Sequence, residues 1–290
     1  MDAVEQAVEA LNGKALGGHI ISGALLRSRK YMPSSISLVC PHTHDPLRLQ
    51  GEALVTHDGK MRYPVIDGIP NCVHPPRLGA DDKRWSKFYD LFAPFYAWSE
   101  RTLGGLVTGL DIVQVRRGMM RLVPAGRGET ILEVSPGPGI YQPDLAAKVG
   151  GEGCIWALDI SRGMLKQCRK ACTQQTPAPQ LVQGNAAYLP FEDGCFDGLF
   201  HFGGVNLFSE PDRALREFAR VVKRGGWVAY GDEQFSEEWR QRTDLRAKIL
   251  RRGNPGFLRE PPAIPPSLDS VARHQVQGGL CYLNVCRVAA

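Results

Sequence analysis

No stretch of this chain is apolar for long enough to cross a bilayer, which excludes a membrane-spanning helix. A leader pattern is lacking too: Met1 to Leu11 contains Asp2, Glu5 and Glu9, the wrong sign of charge for a secretory or transit peptide. A cytoplasmic protein is therefore expected. Eight cysteines occur, yet no two form a C-x-x-C pair. In a chain of 290 residues that argues against a disulfide scaffold and for reduced thiols packed as small hydrophobes. No internal repeat is found, which excludes solenoids and propellers. The net charge of +5 is too mild to argue for nucleic acid.

What remains is an ordinary globular composition, 43% hydrophobic and 22% charged, long enough for one sizeable α/β core and a smaller module. Residues 1–36 read as an N-terminal extension, with a short helix over Asp2–Leu11 and a basic spot at Arg27, Arg29 and Lys30. Residues 37–73 read as a small β module, with Asp58-Gly59 as a hairpin turn. His74 to Asp82 reads as a linker, and Trp85 to Leu106 as an aromatic helix. From Gly128 the pattern becomes βαβα, with strands expected at 130–134, 154–159, 180–183, 196–202 and 227–230 and helices at 164–172 and 211–222. Such alternation implies a parallel sheet with helices on both faces. Val271 to Val288, broken at Gly278-Gly279, reads as an antiparallel hairpin at the sheet edge.

The chemistry concentrates in Glu133-Val134-Ser135-Pro136-Gly137-Pro138-Gly139, which follows a strand and opens a helix. Glycines there let backbone approach a ligand, and a helix N-terminus favours a carboxylate or phosphate. Asp159 closes the next strand, where a carboxylate grips both hydroxyls of a ribose. A dinucleotide fingerprint fails, because Gln142 stands where its last glycine belongs. Glu133 would repel a pyrophosphate but suits a ligand bearing an ammonium group. S-adenosylmethionine (SAM) has that ammonium, with a carboxylate, a ribose and an adenine.

Residues 85–290 resemble class I SAM-dependent methyltransferases, especially the ubiquinone/menaquinone-biosynthesis-like group. Glu133–Gly139 is similar to E-x-G-x-G-x-G, Ala157–Ser161 to the ribose-binding strand end, and Gly184–Phe191 to G-D-A-x-x-L-P-F. Val222–Gly226 is similar to the turn before strand five. Ser135 replaces the first glycine, and Asn185 the usual aspartate; an asparagine oxygen still accepts from an adenine amino group. The resemblance implies a Rossmann-like seven-stranded SAM-methyltransferase sheet behind a small N-terminal β module. It implies a cofactor site at Glu133, Ser135, Gly137, Gly139, Asp159, Ile160, Asn185, Ala186 and Phe202. S-adenosylhomocysteine would be the product. Tyr89-Asp90 and Tyr96-Ala97 resemble the doubled Tyr-Asp pattern of a covering helix, which makes Tyr96 a candidate to close over the cofactor. His201, at the end of the fourth strand, is the candidate base beside the reactive methyl, with Asn206, Asp232 and Glu233 nearby. Alignment alone drives much methyl transfer, so a base is optional.

Leu38–Pro41, Asp45–Leu47 and Tyr63–Pro70 resemble a zinc-ribbon-like family that activates some methyltransferases, with its paired cysteines missing. Cys40, His42, His44 and His57 do not have the spacing of a standard zinc set, so no metal is expected. Arg240, Arg242, Arg246, Lys248, Arg251 and Arg252 form a basic run that reads either as a solvated helix face or as a receiver of an anionic substrate. The expected function is methyl transfer to an apolar or aromatic small molecule, or a secondary metabolite, by a monomer or homodimer. RNA or protein methylation, and SAM binding without transfer, stand as alternatives. No basic patch interleaved with aromatics favours nucleic acid.

Overall fold

A computed structural model describes residues 36–99, 111–253, 257 and 259–289. The expected helix over Asp2–Leu11 and the basic spot at Arg27–Lys30 lie outside the described residues. Both sheets described below belong to one compact unit.

The chain first builds a four-stranded antiparallel sheet in the order β1 (Leu47–Gln50), β2 (Ala53–Thr56), β3 (Arg62–Ile66) and β4 (Ile69–Pro70). The Asp58-Gly59 turn closes β2 onto β3 as its residues dictate: Asp58 accepts from the Thr56 hydroxyl at 2.7 Å and from the Lys60 amide at 3.1 Å. The segment 74–82 is not the linker that its Pro and Gly punctuation suggests. It holds a short 3-10 turn (Pro75–Arg77) and the start of helix α1 (Ala80–Ser99). Asp81 and Asp82 sit in the first turn of α1, where acids complement the helix dipole.

After α2 (Ile112–Met120) comes the larger sheet. It is assembled from β5 (Thr130–Val134), β6 (Cys154–Asp159), β7 (Gln180–Gln183), β8 (Phe196–Phe202), β9 (Val222–Glu233), β10 (Leu268–Val276) and β11 (Cys281–Val288). The spatial order is β10-β11-β9-β8-β5-β6-β7. The five strands from β9 to β7 run parallel, and β11 is antiparallel to both β9 and β10. Helices α3 (Gln142–Val149), α4 (Arg162–Ala171) and α5 (Pro211–Val221) provide crossovers. Two short helices, α6 (Glu237–Gln241) and α7 (Leu245–Gly253), follow β9. Every residue of β6 is buried, as a strand covered on both faces requires, which is why it reads as an unbroken apolar run. Strand order reverses between β5 and β8, and at such a switch point the strand ends open a crevice.

The small sheet docks on the far edge of the large one. The Cys72 amide donates to the Gln183 carbonyl at 2.7 Å and the Val39 amide to the Pro190 carbonyl at 3.0 Å. Asn71 thereby bridges β7 in parallel. Leu38, Cys40, Leu47, Tyr63 and Cys72 join the core beneath β6 and β7.

Candidate functional site

A cleft opens at the carboxyl ends of the parallel strands. One wall is the loop after β5, with Ser135, Pro136, Gly137 and Pro138. Asp159 and Ile160 contribute from the end of β6, Asn185 and Ala186 from beyond β7, and Phe202 and Gly203 from β8. Helix α1 covers it with Asp82, Trp85, Tyr89 and Tyr96, and Glu233, Gln277 and Cys281 close the β9–β11 side.

The loop is held by backbone chemistry. The Ser135 amide donates to the Leu158 carbonyl at 2.7 Å. Its φ of 57° is the left-handed conformation that a glycine would adopt without strain. Gly139 has φ +86°, and a Cβ there would lie 3.1 Å from the Cys168 sulfur. Only glycine lets the loop rest this closely on α4. Asp159 ties the loop to the next strand: it accepts from the Gly137 amide at 3.2 Å and the Ser161 amide at 2.8 Å. Burial pushes its carboxyl up to about 6, against those hydrogen bonds.

Two expected residues stand off the wall, and Gly139 supports the loop from behind. Glu133 is buried beneath the loop, where its carboxylate accepts from the Gln142 side-chain amide. The structure thus places Glu133 against an amide, not on the cleft surface where an ammonium would meet it. Burial raises its carboxyl to about 8. His201 corrects the expected base more sharply. It is 0% exposed, lies between Phe208 and Phe218, and has Nδ1 2.9 Å from the Val134 carbonyl. Successive strand residues face opposite sides, so Phe202 reaches the cleft while His201 enters the core. Burial lowers its pKa, and no part of it lines the cleft.

Asp232 and Asn206 serve as buttresses. Asp232 accepts from the Gly204 amide at 2.8 Å and the Asn206 amide at 2.6 Å, while the Asn206 side chain donates to the Glu233 carbonyl at 2.9 Å. The basic run stays away from the cleft. Arg242 lies 4.0 Å over the Trp239 ring, and Arg251 donates to the carbonyls of Trp239, Arg240 and Arg242. Cys40, His42, His44 and His57 do not converge. Cys40 pairs with the Tyr63 hydroxyl at 3.2 Å, His42 packs on His74, and His44 and His57 are exposed. Among the described residues no group of three or more His, Cys, Asp or Glu stands together to hold a metal ion.

Among the described residues, the charged groups on the cleft wall are Asp82, Asp159 and Glu233, all acidic. Such a wall repels a pyrophosphate and suits a ligand with hydroxyl and amino donors and a cationic centre. Aromatic faces at Trp85, Tyr89, Tyr96 and Tyr141 suit that cation. SAM fits this donor set. Asp82 and Tyr141 escaped the sequence reading, Asp82 because it lies in an apparent linker.

Residues 132–230 match a family described as "Methyltransferase domain". A demethylmenaquinone methyltransferase of Listeria monocytogenes is 36% identical over 120 residues, covering 40% of this chain and 50% of the relative. The ubiquinone/menaquinone biosynthesis C-methyltransferase UbiE of Xanthomonas axonopodis is 32% identical over 158 residues, 53% of this chain and 62% of that one. This chain therefore spans half the length of the first relative and under two thirds of the second. The solved [4+2]-cyclase SpnF superposes with a TM-score of 0.52 at 15% identity, over 73% of this chain and 98% of that chain. A cyclase on the same sheet shows that the fold alone does not name a reaction. Residues 132–230 are thus similar to a methyltransferase domain, and SAM is the cofactor that this similarity implies. Among the described residues no helix is long and apolar enough to cross a membrane.

Proposed function

We propose that the chain transfers the SAM methyl group to a small apolar or aromatic acceptor, in the manner of quinone-ring methylation. The observation that carries the reading is the cleft at the β5/β8 switch point, walled by acids and aromatic rings, with Asp159 tethered to the loop. The names of the two relatives support a quinone-like acceptor. The eight free cysteines support a reducing, cytoplasmic setting.

In this reading Asp159 holds the ribose hydroxyls. The loop amides are already spent on Asp159, Leu158 and Pro136, so the start of α3, with the positive end of its dipole, faces the carboxylate end of the ligand. When bound, SAM supplies an electrophilic methyl on a sulfonium. Tyr96 and Tyr89 offer π faces to that positive charge, and Phe202 and Phe208 exclude water and orient the acceptor. Catalysis is assigned to alignment, because His201 does not reach the cleft.

Calorimetric titration with SAM and S-adenosylhomocysteine tests this. Micromolar binding, lost in Asp159→Ala, is expected. No binding of either ligand to the wild type would overturn the proposal, and binding without turnover across phenols and hydroquinones would leave only its cofactor half.

A further inference from the structure

We infer that Asp82 recognises the exocyclic amino group of adenine, supplying from helix α1 the carboxylate that the segment after β7 lacks. The inference rests on the SAM reading above and names a specificity determinant of the same site.

The argument starts at Asn185. Its side-chain oxygen accepts from the Ala187 amide at 2.9 Å, and its side-chain nitrogen donates to Asp82 Oδ2 at 3.2 Å. Turning the amide over would place two oxygens together at Asp82, so the network fixes its orientation. Asn185 therefore acts as a donor toward the cleft-side carboxylate and spends its acceptor on its own turn. An adenine amino group is a donor, and the acceptor beside it is Asp82.

Asp82 is built for that task. It is 8% exposed and lines the cleft next to Asn185. Oδ2 also accepts from the Gly79 amide at 3.2 Å, and Oδ1 from the Ser209 amide at 3.1 Å. The Asp82 amide in turn donates to the Ser209 hydroxyl at 3.1 Å. These bonds come from three directions and lock the rotamer, and each carboxylate oxygen has two lone pairs. Oδ1 takes one bond and keeps capacity for a ligand donor.

The other wall acids are placed elsewhere. Asp159 is bound to Gly137 and Ser161 at the β6 end, and Glu233 pairs with Cys281 across β9 and β11. Along α1, Asp82, Trp85, Tyr89 and Tyr96 follow at helical spacing on the face that lines the cleft. Their span is about 21 Å at 1.5 Å per residue. The helix thus presents a carboxylate at one end of the ligand and aromatic faces toward the other.

A site that hydrogen-bonds a substrate N–H rejects an analogue presenting a carbonyl there, because two acceptors are left facing each other. The test titrates the full chain with S-adenosylhomocysteine and with S-inosylhomocysteine, in which a carbonyl replaces the amino group. Wild type is expected to prefer the adenine ligand by about tenfold or more. Asp82→Ser should lower affinity for the adenine ligand and bring the ratio toward one. Ser209→Ala, which loosens the same latch but leaves the carboxylate, should keep the ratio. Equal wild-type affinities would overturn the inference even if Asp82→Ser failed to fold. So would Asp82→Ser weakening both ligands at an unchanged ratio, the signature of a mere latch. Failure of the wild type to bind either ligand would instead sink the cofactor reading, and this inference with it.

Discussion

Asp90 on α1 and Ser161 at the N-terminus of α4 share a hydrogen bond of 2.7 Å, the serine hydroxyl donating. The same Asp90 oxygen accepts from the Gly163 amide at 2.8 Å, and the Ser161 hydroxyl accepts from the Met164 amide at 3.1 Å. The covering helix is thus pinned to a helix start, where the backbone dipole favours a carboxylate. Asp90→Ala should cost about 1 kcal/mol of stability. It should also weaken SAM binding several-fold, because α1 carries part of the cleft wall. Chemical denaturation and calorimetry read the two effects. Asp90→Asn, which keeps an acceptor, should retain most of both, and an Asp90→Ala variant with wild-type affinity would show that the pin does not govern the site.

Ser135 holds a positive φ of 57°, which costs a non-glycine residue about 1 kcal/mol. Ser135→Gly should raise the melting temperature, while Ser135→Ala, equally strained, should not. If both variants melt at or below the wild-type temperature, the serine side chain contributes more than the strain costs.

Glu133 gives the unliganded protein a pH dependence of unusual sign. Its folded pKa is about 8 against an ordinary 4.5. Folding therefore favours its protonated form. That stabilisation is complete below about 4.5 and is lost as pH rises through 8. Asp159, raised from 3.8 to about 6, acts in the same direction. Unfolding by urea across pH 5 to 8.5 should show stability falling by about a few kcal/mol from these groups. Glu133→Gln, which still accepts from Gln142, should flatten most of that slope. An unchanged slope would mean that Glu133 is ionised in the folded protein.

His201→Leu tests the correction made by the structure. The buried imidazole should be replaceable with a turnover rate within a few-fold of wild type and no change in its pH profile, although stability will shift. A loss beyond a hundredfold with intact S-adenosylhomocysteine affinity would return His201 to the reaction.

Local chemistry made the strands legible. Strands β5 to β8 coincide with the expected runs, because a parallel strand buried on both faces is a short apolar block between turns. Asp159 and the glycine loop could be read for the same reason: their spacing is a property of one β-turn-α unit. Asp82 could not, since its partners Asn185 and Ser209 lie far along the chain and tertiary pairing leaves no trace in local pattern. His201 failed differently. Its place at a strand end was legible, but the side to which it turns depends on register, and Phe202, one residue on, has the cleft. Strand β9 extends from 222 to 233, well beyond the apolar run 227–230, because Val222 pairs with Phe196 ahead of a bulge at 223–226 and Gly231 to Glu233 pair with β11.

The docking of Asn71 and Cys72 on Gln183 has a consequence for solubility. An open β7 would offer unpaired amides and carbonyls to any extended chain nearby. The small sheet meets that edge through Asn71 and Cys72, so the protein shields its own sticky margin with a segment that lies earlier in the chain. The opposite margin, β10, has no such cover from the small sheet and instead carries Asp269, Arg273 and His274 along a largely exposed strand. One edge is met by a packed sheet and the other carries charge, two different ways of blunting an exposed strand.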